Sequence, residues 1–186
     1  MSHRRAHLII LLFGAPGTGK STFGRYVARK LGVPWISSGG LLRELAQRDE
    51  RVAKLIESGE LVPSEEVERA LFERLAQAEG GFVLDGFPRT VTQAEDLLRF
   101  LRERSRTISR VYLLCAPDEV VLQRLLARGR EDDTPEVIRE RRRVYKAETE
   151  AVIQALEEAG VEIVEVDSSP PAEEVEKQLD ALLEHL

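Results

Sequence analysis

Short apolar segments recur along the chain, and each is followed by a polar, glycine or proline break. They are rich in apolar or β-branched residues, a pattern that predicts buried strands. Leu8–Phe13 is an unbroken apolar run, as expected of a strand buried on both faces. The predicted strands are Leu8–Phe13, Trp35–Ile36, Phe82–Leu84, Val111–Cys115 and Val161–Val166.

The longer segments between these strands carry apolar residues at helical spacing. Regular alternation of strands and helices indicates an α/β fold, in which helices cover both faces of a parallel sheet. No repeat or linker divides the chain, so residues 1–186 are expected to form one domain. The predicted helices are Thr22–Leu31, Leu41–Glu57, Ser64–Gln77, Thr92–Glu103, Asp118–Ala127, Pro135–Ala159 and Glu173–Leu183.

The break after the first predicted strand has the sequence GAPGTGKS, residues 14–21, which fits the pattern G-x-x-x-x-G-K-[S/T]. A strand before the motif and a helix after it are the context that the motif requires. Backbone N–H groups of such a loop surround phosphate oxygens at the positive end of the helix. Lys20 adds a charge for the outer phosphates, and the Ser21 hydroxyl can ligate magnesium. We therefore expect a nucleoside triphosphate site on a P-loop NTPase-type sheet of five parallel strands.

Composition narrows the class of protein. The chain is 42% hydrophobic and 32% charged, which is typical of a soluble globular enzyme, and we expect it in the cytoplasm. A net charge of −6 disfavours a nucleic-acid partner, and the apolar run from Leu8 is too short to span a membrane. Cys115 is the single cysteine, so no zinc cysteine cluster is expected. The three histidines, His3, His7 and His185, lie near the termini, which disfavours a histidine general base.

The third predicted strand runs into the sequence Asp85-Gly86-Phe87-Pro88-Arg89. An acidic group at the carboxyl end of a strand can orient the water shell of magnesium. Gly86 and Pro88 predict a rigid turn that presents Arg89 towards the same crevice. Arg128 and Arg130 also stand among glycines and aspartates, and an arginine fork suits phosphate oxygens. This pattern indicates phosphoryl transfer.

Together with the phosphate loop and the Ser37-Ser38-Gly39 turn, this segment closely resembles the adenylate kinase family of nucleoside monophosphate kinases. The resemblance covers nearly the whole chain, and the Asp-Gly-Phe-Pro-Arg turn is its most specific part. It implies magnesium-dependent, reversible phosphoryl transfer from ATP to AMP. The family also implies an acceptor-binding lobe at about residues 37–62 and a minimal lid at about residues 128–133.

The resemblance implies a role for each matching residue. Gln93 would pair with the adenine of AMP, Arg124 would pack against the adenine of ATP, and Ser21 and Asp85 would serve magnesium. The acidic pair Asp132 and Asp133 would steady the lid arginines. The residues implied to bind ATP are Gly17, Thr18, Gly19, Lys20, Ser21, Thr22, Arg124 and Arg128. Those implied to bind AMP are Ser38, Gly39, Arg43, Glu60, Leu61, Val62, Gly86, Phe87, Pro88, Arg89, Gln93, Arg130 and Arg141. The catalytic set is Lys20, Arg89, Arg128, Arg130 and Arg141.

The chain departs from the family pattern in three ways. Ser21 replaces a glycine, Gly40 replaces an aspartate, and the lid is reduced to little more than Gly129 between two arginines. A sibling kinase of the same fold for UMP, CMP or a small alcohol is one alternative. A weakened nucleotide-binding protein is another, whereas a GTPase is disfavoured because no Asn-Lys-x-Asp motif is present. The expected partners are ATP and AMP alone, and a monomer is expected.

Overall fold

The computed structural model describes residues 7–57, 64–128 and 135–186. Along the chain, strands alternate with single helices or with groups of helices. The strands are β1 (Leu8–Gly14), β2 (Trp35–Ser37), β3 (Gly81–Asp85), β4 (Arg110–Cys115) and β5 (Ile163–Asp167). The helices are α1 (Lys20–Leu31), α2 (Ser38–Arg48), α3 (Glu50–Glu57), α4 (Ser64–Gln77), α5 (Val91–Glu103), α6 (Asp118–Arg128), α7 (Pro135–Glu158) and α8 (Ala172–Leu183).

The strands form one sheet in the order β2-β3-β1-β4-β5, and every neighbouring pair is parallel. Asp85 lies level with Leu12 on one side and with Ser37 on the other. The carboxyl ends of three strands therefore meet at one edge of the sheet. This arrangement confirms the predicted α/β fold with five parallel strands.

Helices cover both faces of the sheet. Ile9 and Leu11 of β1 pack in a core with residues of α4, α5 and α7, including Leu71, Leu97 and Val152. The alternate residues of β1, Ile10 and Leu12, belong to a second core with α1 and α8. Because β1 is buried on both faces, its unbroken apolar run predicted it correctly. Within the described ranges, no helix has the length and apolarity needed to cross a bilayer.

The predicted helix Leu41–Glu57 is wrong in detail, because the structure divides it into α2 and α3. The break is at Asp49, whose backbone is extended, with φ −129° and ψ 107°. Its Oδ1 accepts a hydrogen bond of 2.9 Å from the N–H of Arg51. A short carboxylate that bonds its own backbone competes with helical hydrogen bonds, which explains the break. The Oγ of Ser37 caps α2 by accepting from the N–H of Gly40 at 3.3 Å, so this helix begins earlier than predicted.

Gly81 begins β3 directly opposite Leu8 in β1, with φ +117°. A Cβ atom at this position would lie 2.1 Å from the carbonyl oxygen of Leu8. We expect Gly81→Ala to lower the free energy of unfolding by about 3 kcal/mol, through backbone strain and this clash. Urea unfolding measures the change. Gly80→Ala is the matched control, because a Cβ there has no described atom within 4 Å. Equal effects of the two variants would contradict the prediction.

Candidate active site

The phosphate loop joins β1 to α1 in the predicted strand–loop–helix context. Gly17 and Gly19 have φ of +90° and +88°, a region that favours glycine. A Cβ at Gly17 would lie 2.8 Å from Val121, and one at Gly19 would lie 2.7 Å from the ring of Phe23. No side chain caps the first turn of α1. The positive end of this helix is therefore open to an anion.

Lys20 is the first residue of α1, and its side chain reaches back to the start of the loop. Its Nζ donates to the carbonyl oxygens of Gly14 at 2.5 Å and Ala15 at 3.1 Å. Burial lowers the pKa of Lys20 to about 8, with Asp85 opposing the shift and Arg89 adding to it. The ammonium is thus poorly solvated and close to both groups. A phosphate would compete with these two carbonyls for the charge.

Ser21 and Asp85 meet beside Lys20. The Ser21 hydroxyl donates to Oδ2 of Asp85 at 3.0 Å, and Asp85 is only 3% exposed. Burial raises the pKa of Asp85, and the Lys20 charge and the Ser21 hydrogen bond oppose the rise. A buried carboxylate and the hydroxyl next to it offer hard oxygen ligands, which magnesium prefers.

The described residues contain no group of three or more His, Cys, Asp and Glu side chains that could hold a metal ion. A magnesium ion at Ser21 and Asp85 would therefore take its other ligands from phosphates and water, as this ion commonly does. The expected absence of zinc stays a prediction.

The predicted acceptor side of the crevice is built around the carbonyl oxygen of Gly86. The Ser38 hydroxyl donates to this oxygen at 2.7 Å, and Nε of Arg89 donates to it at 3.0 Å. Gly86 has φ +81°, and a Cβ there would lie 2.7 Å from Oγ of Ser38. The Asp85–Arg89 turn and the first turn of α2 are therefore in direct contact. Arg89 is an exposed residue on this turn.

Other predicted acceptor residues lie in the same region. A Cβ at Gly39 would be 3.7 Å from Nη1 of Arg43, so the Arg43 guanidinium lies along the first turn of α2. Phe87 is buried, its bond to Pro88 is cis, and its ring meets that of Phe72 edge-on at 5.9 Å. Thr90 caps α5 by accepting from the N–H of Gln93, which places Gln93 in the first turn.

Arg124 makes contacts that the sequence did not indicate. Its two Nη atoms donate to the carbonyls of Ser168 at 2.8 Å, Ser169 at 3.2 Å and Pro170 at 3.3 Å. Ser168 in turn donates from its N–H and its hydroxyl to the carbonyl of Cys115. The contact of Arg124 with this loop after β5 was not predicted. The Ser-Ser-Pro-Pro run at the carboxyl end of a strand is the signal that could have identified the loop.

Helix α7 borders the phosphate loop from the other side. The ring centroid of Tyr145 lies 5.9 Å from Nζ of Lys20. A cavity of about 690 Å³ separates the helix from the end of β4 and reaches Ala15 and Thr18 of the loop.

The structure describes Arg128 and Arg141 only through the helices that contain them, α6 and α7. Glu60, Leu61, Val62, Arg130, Asp132 and Asp133 lie outside the described residues.

Comparisons with known proteins agree with this architecture. The family model for adenylate kinase matches residues 12–161. An adenylate kinase of Nocardia farcinica is 41% identical over 180 residues, which cover 93% of this chain and 98% of the relative. Adenylate kinase 1 of a Nostoc species is 38% identical, with 94% and 97% covered. An adenylate kinase of Archaeoglobus fulgidus is 35% identical, with 95% and 98% covered. The chain is therefore a phosphotransferase and belongs to the adenylate kinase family.

Proposed function

We propose that the chain transfers a phosphoryl group reversibly from ATP to AMP, giving two ADP. One observation carries the proposal. Lys20, the Ser21–Asp85 pair and the Arg89 turn meet at one edge of the sheet, between an open helix N-terminus and the acceptor side. Such a site has a place for a triphosphate and, next to it, a place for a second anion. It has no need of a general base, because an AMP phosphate oxygen is already a nucleophile.

The donor nucleotide would be held mainly by backbone and charge. The N–H groups of residues 17–22 face the phosphates, and Lys20 moves from the Gly14 and Ala15 carbonyls to the transferred group. Ser21 and Asp85 would hold magnesium, which neutralises charge on the outer phosphates when bound. The guanidinium of Arg124 donates to the carbonyls of residues 168–170, and these hydrogen bonds fix its plane. The face of the guanidinium would then stack on the adenine.

The acceptor phosphate would lie between α2 and the Asp85–Arg89 turn. Ser38, Gly39, Arg43 and the backbone of residues 60–62 form one side in this proposal, and residues 86–89 form the other. Gln93 pairs with the adenine edge. A loose transition state spreads charge over equatorial oxygens, and Lys20 and Arg89 stabilise that charge together with the arginines at 128, 130 and 141. The lobe at about 37–62 and the minimal lid at about 128–133 exclude water in this scheme.

Initial rates with AMP, CMP, UMP and no acceptor test the proposal. ADP formation from ATP is followed by a coupled assay at equal acceptor concentrations. We expect AMP to be used well ahead of the others, because a glutamine at position 93 complements adenine. Comparable or faster rates with UMP or CMP would assign the chain to a sibling kinase. Turnover with no nucleotide acceptor above background would indicate that the short lid admits water. No turnover with any acceptor would favour a nucleotide-binding protein without catalysis.

The pKa of Lys20 predicts how donor binding depends on pH. Below a pKa of about 8 the free protein carries the charge, and above it the charge is lost. Bound phosphates favour the charged form, so we expect affinity for ATP to fall by up to about tenfold per pH unit above pH 8. Binding there takes up a proton. Calorimetry with a non-hydrolysable ATP analogue, in buffers of different ionisation enthalpy, measures both effects. Constant affinity up to about pH 9.5 would contradict the assignment.

Composition and net charge support a proposal about the cellular setting. We place the protein in the cytoplasm as a monomer, with ATP, AMP and magnesium as its ligands. The acidic net charge of −6 supports the absence of a nucleic-acid partner. Light scattering of the purified chain at working concentration tests the monomer.

A further inference from the structure

Gln93 makes contacts in the structure that fix which end of its amide is which. Its Oε1 accepts a hydrogen bond of 2.8 Å from the backbone N–H of Arg89. Its Nε2 donates a hydrogen bond of 2.7 Å to Oε1 of Glu68 in α4. A backbone N–H can only donate and a carboxylate can only accept, so the two contacts specify one orientation of the amide. A flipped amide would place a donor against a donor and an acceptor against an acceptor.

We propose that Glu68 is a positioning residue that sets acceptor specificity by locking the Gln93 amide in the orientation that reads a 6-aminopurine. The amide has two donor and two acceptor positions, and the contacts with Arg89 and Glu68 use one of each. One donor and one acceptor remain for a base. Adenine presents a donor at N6 beside an acceptor at N1, and these complement the two remaining positions.

A 6-oxopurine presents the opposite pair, an acceptor at O6 beside a donor at N1–H. In the same pose it would meet a locked Gln93 with two mismatches, acceptor to acceptor and donor to donor. Sites whose polar groups are left unpaired by a wrong ligand discriminate strongly against it. The locked amide therefore selects AMP over IMP, although the two nucleotides differ little in size.

Glu68 lies on α4, a helix that is packed firmly against its neighbours. Phe72 follows it by four residues, so both side chains lie on the same face of α4. The Phe72 ring packs against Phe87 at 5.9 Å and against Phe100 at 4.9 Å, and Leu71 and Leu75 are fully buried. These contacts hold α4 against both the Asp85–Arg89 turn and α5. The carboxylate of Glu68 is itself half-buried, which strengthens its hydrogen bond to the amide.

This inference rests on the proposed use of AMP as the acceptor. The experiment measures kcat and KM for AMP and for IMP, at saturating ATP, in the wild type and in Glu68→Ala. We expect the variant to raise KM for AMP about tenfold, with kcat and KM for ATP within about twofold of the wild type. The preference for AMP over IMP, as a ratio of kcat/KM, falls by about tenfold or more. Glu68→Gln can offer either a donor or an acceptor to the amide. Its KM for AMP and its preference for AMP over IMP should lie between those of the wild type and those of Glu68→Ala.

Two controls separate positioning from a general effect on the fold. Glu73→Ala removes the same charge from an exposed site on the same helix and should match the wild type. In a double-mutant cycle, Glu68→Ala should have no further effect on KM for AMP once Gln93 is alanine. Equal effects of Glu68→Ala with and without Gln93 would overturn the inference. So would a lower KM for AMP in Glu68→Ala, because Glu68 would then compete with the base for the amide.

The proposed function and this inference fail in different ways. If the wild type prefers CMP or UMP to AMP, the proposed function fails, and the inference fails with it. If the wild type prefers AMP and Glu68→Ala keeps both its KM and its AMP-to-IMP ratio, the inference alone fails.

Discussion

Lys20→Ala is expected to lower kcat/KM for ATP by about 1000-fold or more, since in the proposed function it removes a buried charge that would meet the transferred group. Nζ of Lys20 is held by two loop carbonyls and is close enough to Asp85 and Arg89 for both to affect its pKa. No other lysine of α1 has this position, because Lys30 is 45% exposed and pairs with Asp180. A coupled assay of ADP formation measures the loss.

Lys30→Ala is the matched control for this prediction. Its ion pair with Asp180 is at the surface and contributes little, so turnover should stay near the wild-type value. Near-normal turnover in Lys20→Ala would remove the proposed mechanism. The variant should also remain folded, which circular dichroism checks before the rates are compared.

The pKa of Lys20 also fixes the sign of the stability change. A pKa lowered from 10.5 to about 8 means that the folded state disfavours the ammonium relative to the unfolded state. At neutral pH this costs about 3 kcal/mol, and the cost declines as pH rises from about 8 to 10.5. Lys20→Ala should therefore be at least as stable as the wild type at pH 7. The charge that the proposed function requires at this position therefore lowers the stability of the fold.

Arg89→Ala is expected to reduce kcat/KM for AMP by about 100- to 1000-fold, with KM for ATP nearly unchanged. The Arg89 side chain holds the Gly86 carbonyl through Nε at 3.0 Å and lies on the turn beside Asp85. Its planar fork suits two oxygens of the acceptor phosphate. Arg89→Lys keeps the charge without the fork, and we expect it to recover only part of the loss. Steady-state rates with varied AMP give these values.

A second arginine serves as the control for Arg89. Arg99 lies on α5, pairs with Asp96 and is 64% exposed, so Arg99→Ala should retain wild-type kinetics. An Arg89→Ala variant that uses AMP as well as Arg99→Ala does would exclude Arg89 from the acceptor site. Loss of ATP affinity in Arg89→Ala would instead place this guanidinium on the donor phosphates.

The sequence predicted features that depend on local pattern. The apolar run of β1, the glycine loop and the helix after it follow one another directly, so the phosphate loop needed no long-range information. The place of β2 in the sheet is different, because it follows β1 along the chain but pairs with β3. The break at Asp49 was not predicted, because its side chain accepts from the N–H of Arg51 only once the backbone has turned. The apolar residues before and after Asp49 in the sequence continue the helical spacing.

The same distinction applies to the candidate site. The Asp85–Arg89 turn carries its acidic group, its bend and its arginine within five residues, so sequence placed it at the crevice. The partners of Arg124 are 44 to 46 residues away, and the Ser-Ser-Pro-Pro run marks their loop without connecting it to Arg124. The contact of Gln93 with Glu68 spans 25 residues and depends on how α4 packs against α5. Such contacts require the tertiary structure.

The Gly86 carbonyl receives one hydrogen bond from Ser38 and one from Arg89. In the proposed function an acceptor phosphate draws Arg89 and Ser38 towards itself, in exchange for their hydrogen bonds to this carbonyl. The phosphate would then hold the first turn of α2 to the end of β3. Under the proposed function, acceptor affinity and the ordering of α2 are therefore linked thermodynamically, and the link has the same magnitude in both directions.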